Sequence, residues 1–268
     1  MATTLIIFFI LGLAIGSFLN VAVYRLKTAE NIVWERSHCP HCKKIIRWYD
    51  NIPLLSFILL KFRCRYCKQK ISFQYPLVEL FTGILFLFIG WRYFVEGNPA
   101  SWFLTAYYLG IVSFLITILV YDWLNMEIPG LVLWPAVGWA VVFNLIFNYS
   151  GLGNASIFNI SVSSALLAMI VAFLFFFLLS AASKEKWMGM GDAYLAILIG
   201  LVTGWPQVLL ALILSFFIGA VVGIILILAK KKKMKSQIPF APFLVLGTLI
   251  AMFFYGPVVN WYLSLFRF

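Results

Sequence analysis

Apolar runs of about 20 residues, separated by short polar stretches, recur along the whole chain. A helix of that length covers ~30 Å, the thickness of the hydrocarbon layer of a membrane. The pattern predicts eight spans: 4–24, 77–95, 102–121, 131–148, 161–181, 193–205, 207–229 and 242–265. The runs are too long for the alternating strands of a barrel, and a helix satisfies its own backbone hydrogen bonds in lipid. The sixth span is the short one. Residues 193–229 would make a single long helix but for Gly204-Trp205-Pro206, where a proline interrupts and a tryptophan favours the interface. Splitting there leaves a sixth span of about 13 residues, roughly 20 Å. The expected fold class is an all-α polytopic membrane protein of about eight transmembrane helices, with one small cytoplasmic loop module between the first two.

Composition agrees. The chain is 64% hydrophobic, 18% aromatic and only 11% charged, against about 25% charged in soluble proteins. The net charge of +11 would suit a nucleic-acid partner, but the basic residues sit between apolar runs, as membrane orientation requires. No nucleic-acid partner is expected; membrane lipid is. With the first span running outside to inside, eighteen of the twenty lysines and arginines lie on one side, with Arg92 and Arg267 the exceptions. That side is the cytoplasm by the positive-inside rule. The run Leu5 to Val23 has no basic residue before it and has Arg25 and Lys27 after it. It reads as a span rather than a cleavable signal.

The loop 25–76 holds all four cysteines, as Cys39-Pro40-His41-Cys42 and Cys64-Arg65-Tyr66-Cys67, with 21 residues between the pairs. Two such pairs at this spacing predict a structural zinc site with four thiolate ligands: Cys39, Cys42, Cys64 and Cys67. A membrane thiol oxidoreductase would use the same pairs for redox chemistry. A reducing cytoplasmic face favours metal binding. His38 and His41 flank the first pair, and four thiolates leave them no coordination position.

Acids are scarce, nine in all, and two stand at membrane boundaries. Asp192 ends Gly189-Met190-Gly191-Asp192 and opens the sixth span, while Asp122 in Tyr121-Asp122-Trp123 closes the third. Both ends face the cytoplasm on the predicted topology. Two carboxyls that converge cannot both ionise, so one keeps a proton and can polarise a peptide carbonyl while the other activates water. Gly189 and Gly191 would let an extended substrate approach the backbone. Either acid alone also reads as an ordinary helix-end residue, and a proton-coupled transporter would use the same pair, although no internal repeat is visible.

Together these residues resemble the prepilin peptidases, the type IV leader peptidases with a GxGD motif. The resemblance covers nearly the whole chain. It rests on Gly16-Ser17-Phe18-Leu19-Asn20-Val21, on the two CxxC pairs with Asn51-Ile52-Pro53 between them, and on Tyr75-Pro76-Leu77-Val78-Glu79-Leu80. Gly189-Met190-Gly191-Asp192 and Pro239-Phe240-Ala241-Pro242 complete it, with Ala241 standing where glycine is common. The resemblance implies that Asp122 and Asp192 are catalytic and that prepilins or pseudopilins lose their leader at the cytoplasmic face of the bacterial inner membrane. It further implies N-methylation of the new terminus from S-adenosylmethionine, with Glu79 as a contact for that amine. The corresponding division is 1–100, with the first two spans and the zinc module for methyl transfer, and 101–268, a six-helix peptidase.

Overall fold

In a computed structural model, residues 2–28, 30–31, 34–149, 161–186, 188–230 and 238–265 are described. Among them, seven helices are long and apolar enough to cross a membrane. These are α1 (Ala2–Thr28), α3 (Gln74–Tyr93), α4 (Pro99–Asn125), α5 (Gly130–Tyr149), α6 (Val162–Ser183), α8 (Gln207–Leu228) and α9 (Ala241–Ser264). The short helices are α2 (Leu55–Leu59) and α7 (Met190–Thr203). The sixth expected span is α7, an apolar helix of 14 residues, shorter than the seven that are long enough to cross a membrane. The break falls where Trp205-Pro206 predicts it, with α7 ending at Thr203 and α8 starting at Gln207. The lysine cluster beyond Lys230, and Arg267, lie outside the described residues.

The chain divides into two compact units, Met1–Thr117 and Ile118–Phe268. In the first, α1 packs along α3. Lipid gives helices no hydrophobic reason to associate, so close packing must come from small residues. Gly12 and Gly16, one turn apart, supply them. A Cβ on Gly16 would sit 2.8 Å from the Cα of Glu79, so only glycine lets α1 come this near to α3. Asn20, one turn further on, donates its Nδ2 hydrogens to the carbonyls of Gly16 and Tyr75 at 3.2 and 3.1 Å. That side chain fastens α1 to the start of α3.

The cysteine module lies between these helices in sequence. Its two halves repeat one local geometry. Cys39 N–H donates to Lys44 O at 3.0 Å and Cys64 N–H to Gln69 O at 2.9 Å. Lys43 and Lys68, each just after a second cysteine, take left-handed φ values of 57° and 59°. Such turns aim both thiols of a pair to one side. A bidentate pair, Arg65 to Asp50 at 2.6 and 2.7 Å, ties the second knuckle to the 3-10 turn Trp48–Asn51.

In the second unit α7 packs against α5, α6, α8 and α9. Its residues Leu195, Ala196, Leu198 and Ile199 are fully buried, although the helix is short. At Gly200 it meets the backbone of α6, where a Cβ would lie 2.6 Å from the carbonyl carbon of Ala168. Polar ties fix its C-terminal end. Asn144 of α5 donates to Leu201 O at 3.0 Å, and the Ser164 hydroxyl accepts from Trp205 N–H at 2.8 Å.

Candidate active site and metal centre

Asp122 lies in the last turn and a half of α4. The helix stops at Asn125 because Met126 turns left-handed (φ 58°) and returns its N–H to Asp122 O at 2.8 Å. Asp122 is only 5% exposed. Its carboxylate accepts a hydrogen bond from the Ala241 backbone N–H at the start of α9, and its Oδ2 is buried with no hydrogen-bond partner among the described residues. Pro242 in the first turn of α9 costs nothing, because helix-start N–H groups have no internal partner. One such free N–H is aimed at Asp122.

Asp192 stands in the first turn of α7. It does not cap that helix: Gly189 occupies the cap position, with no side-chain capping bond. The carboxylate of Asp192 is half-buried and lies within electrostatic reach of Asp122. The two acids, 70 positions apart in the chain, thus belong to one site. At Gly191 the first turn of α7 lies beside Ile128, in the loop just after α4, though a Cβ there would make only an ordinary contact, 3.4 Å from Cδ1 of that residue. Gly189 differs. Its φ is −73°, open to any residue, and a Cβ there would meet nothing closer than 4.0 Å. The fold itself needs no glycine at that position.

The four cysteines come together as the spacing predicts. The Sγ atoms of Cys39, Cys42, Cys64 and Cys67 lie within 4.8 Å of one another, and those of Cys39 and Cys67, from different pairs, are 3.9 Å apart. Zinc–thiolate bonds of ~2.3 Å place tetrahedral sulfurs ~3.8 Å apart. The donor set therefore fits a tetrahedral metal. The thiols compete for charge. Burial pushes Cys64 up, but the N–H groups of Cys67 and Tyr66 and the nearby thiols of Cys67 and Cys39 bring it down to about 7. The Gln69 N–H favours the Cys67 thiolate, yet burial and the other three thiols push it up to about 11. A divalent cation at the centre removes that competition. His38 faces Glu30 at 3.8 Å and Tyr24 edge-on, outside the cluster.

Glu79 is 8% exposed on α3 and is not near the aspartates in sequence. Its Oε2 accepts from Leu54 N–H at 2.8 Å, and the Ser17 hydroxyl donates to the same carboxylate. Leu54, like Ala241 beside Asp122, escapes a reading by composition, because a backbone N–H leaves no mark on a residue type.

Two family profiles match the chain. One, described as Bacterial Peptidase A24 N-terminal domain, covers residues 10–93, and one described as Type IV leader peptidase family covers 109–224. A protein of Aeromonas salmonicida (strain A449) named Prepilin leader peptidase/N-methyltransferase is 32% identical over 281 residues, spanning 96% of this chain and 92% of its own. The chain belongs to the type IV leader peptidase family. Relatives of the same name in that family include one from Myxococcus xanthus (strain DK1622), 37% identical over 82% of this chain and 62% of its own. Another, from Pseudomonas putida, is 30% identical over 91% of this chain and 88% of its own. No solved structure matches the chain.

Proposed function

We propose that this type IV leader peptidase removes the leader from prepilins or pseudopilins with Asp122 and Asp192 as its catalytic pair. The observation that carries this is the convergence of the two acids, from α4 and α7, beside the N-terminus of α9. Two carboxyls within electrostatic reach of each other do not both ionise readily, so one keeps its proton. The N–H of Ala241 suits the member that bears the negative charge. Asp122 is accordingly the base that draws a proton from the attacking water, and Asp192 the acid that hydrogen-bonds the scissile carbonyl. Collapse of the tetrahedral intermediate passes the proton that Asp122 took from water to the departing nitrogen, which leaves Asp122 ionised again. Gly189, with open space beside it, leaves room for an extended substrate strand.

The basic loop and helix ends orient the pair and the cysteine module toward the cytoplasm at the inner membrane. There the short polar leader of a pilin-like precursor emerges ahead of its apolar helix. Zinc is the metal for the four thiolates, since soft ligands in a tetrahedral set select it and it holds a small loop without redox chemistry. The part before about residue 100 carries N-methylation from S-adenosylmethionine, and 101–268 carries the peptidase.

The test is incubation of purified protein with a prepilin, scored by the mass lost with the leader. Asp122→Asn and Asp192→Asn are expected each to remain folded and to lose cleavage by about 10³-fold or more, the scale of a general acid or base within a concerted pair. Wild-type cleavage by either variant would overturn the assignment.

A further inference from the structure

We propose that the cysteine module is seated in the membrane surface rather than above it. The outer face of α2 lies among the acyl chains of the leaflet on its own side, and the basic residues beside that face contact anionic lipid headgroups.

Leu55, Ile58 and Leu59 of α2 are 50%, 62% and 70% exposed. Spacings of three and four put them on one side of the helix. Phe62, just past the helix end, is exposed as well. The other side of α2 is occupied: Ser56 is buried, and its hydroxyl donates to Tyr49 O at 2.9 Å. A helix of five residues has no stability of its own. It is braced from behind by Phe57, whose ring meets those of Phe62 and Phe73 at 4.8 and 5.4 Å. The fold thus holds three large aliphatic side chains outward, and a contiguous exposed apolar patch marks an interaction surface.

Depth identifies the partner. Leu54 N–H, at the start of α2, reaches Glu79 Oε2 at 2.8 Å, and the Ser17 hydroxyl of α1 meets the same carboxylate. From Ser17, α1 continues eleven residues to Thr28, and α3 begins five residues before Glu79. Those lengths are ~16 and ~7 Å of helix. α2 therefore starts alongside two helices of membrane-spanning length, not beyond their ends. The exposed face runs on through Phe73, in ring contact with Phe62 at 5.9 Å, to exposed Leu77 and Ile84 of α3. These two stand seven residues apart on one face of a span, where lipid is the solvent.

Charge agrees with lipid. Between residues 34 and 73, nine lysines and arginines stand against two acids, Glu35 and Asp50. Lys61 and Arg63 flank Phe62, and Lys70 lies across a backbone bridge from Arg63. All three are exposed, and no acid forms an ion pair with them among the described residues. Such a cluster attracts anionic headgroups. A second copy docked through the same face would set like charges against each other, which disfavours a protein partner of that kind.

The test uses the full chain in nanodiscs of phosphatidylglycerol carrying a tracer lipid with a diazirine on its acyl chain. After illumination and peptide mapping, residues 55–62 should carry adducts at a yield within about fivefold of that in 77–87 of α3. Replacing Leu55, Ile58 and Leu59 together by Gln should lower labelling of 55–62 about tenfold, because the apolar face that enters the leaflet is gone. Continued labelling of α3 then shows that this variant is still inserted. Phosphatidylcholine discs, or Lys61→Gln, Arg63→Gln and Lys70→Gln combined, should lower labelling of 55–62 about threefold through loss of headgroup attraction. Wild-type protein labelled in α3 but not in 55–62 overturns the proposal, whatever the variants do. Crosslinks between two chains through 55–62 overturn it in favour of a second copy. Equal labelling in the two lipids overturns the headgroup contact.

Discussion

Gly200 offers a direct test of how packing sets the catalytic pair. An added Cβ would lie 2.6 Å from the carbonyl carbon of Ala168, where an ordinary contact is about 3.5 Å or more. The obstructing atom is backbone and cannot swing away, so α7 and α6 must part by something on the order of 1 Å. Overpacking of this kind costs about 1–3 kcal/mol. Gly200 stands eight residues from Asp192 in the same helix, ~12 Å along its axis, so the displacement is carried to the site nearly rigidly. A misplacement of ~1 Å can cost about 10²-fold in rate. Gly200→Ala is therefore expected to lower both the thermal unfolding midpoint and the rate of leader cleavage. Gly223→Ala in α8 is the control, since a Cβ there meets nothing within 4 Å; it should change neither measurably. The assays are thermal unfolding in detergent and single-turnover cleavage of a prepilin. If Gly200→Ala matches wild type in both, the close α6–α7 contact does not hold Asp192 in place and the reasoning fails.

Removing metal with a strong chelator, or substituting Cys64→Ser, should drop bound zinc from about one per chain, the load of a single four-thiolate site. The segment around residues 34–73 should then become open to protease, because the metal closes a loop too small to bury a core; unchanged protease resistance would count against a structural metal. The Arg65 guanidinium beside Asp50 holds its carboxyl below the usual carboxylate range. The stabilisation from this pair is complete above the ordinary value of about 3.9 and is lost as pH falls through the lower folded value. The difference in thermal midpoint between wild type and Arg65→Ala should thus be constant near neutrality and vanish only in acid below about pH 4. A difference that disappears between pH 6 and 8 would assign it to other groups.

The sequence by itself determined the spans and most of the chemistry-bearing residues, because these depend on local quantities. Run length fixed α1, α3 to α6, α8 and α9, and Trp205-Pro206 marked the break that leaves α7 short. Spacing alone brought Cys39, Cys42, Cys64 and Cys67 into one cluster, since each knuckle is a local turn repeated. Facing was decided only by the tertiary structure. These helices are apolar nearly all round, so no polar stripe announces which side turns inward. Whether Asp122 meets Asp192 therefore rests on contacts such as Gly191 with Ile128 and Gly200 with α6, made between residues far apart in the chain. The donors that finish both sites, Ala241 N–H at Asp122 and Leu54 N–H at Glu79, belong to the backbone, which every residue type carries alike. Asn20 looked like one letter of a motif. Only the packing of α1 on α3 shows that its amide nitrogen ties the two helices together.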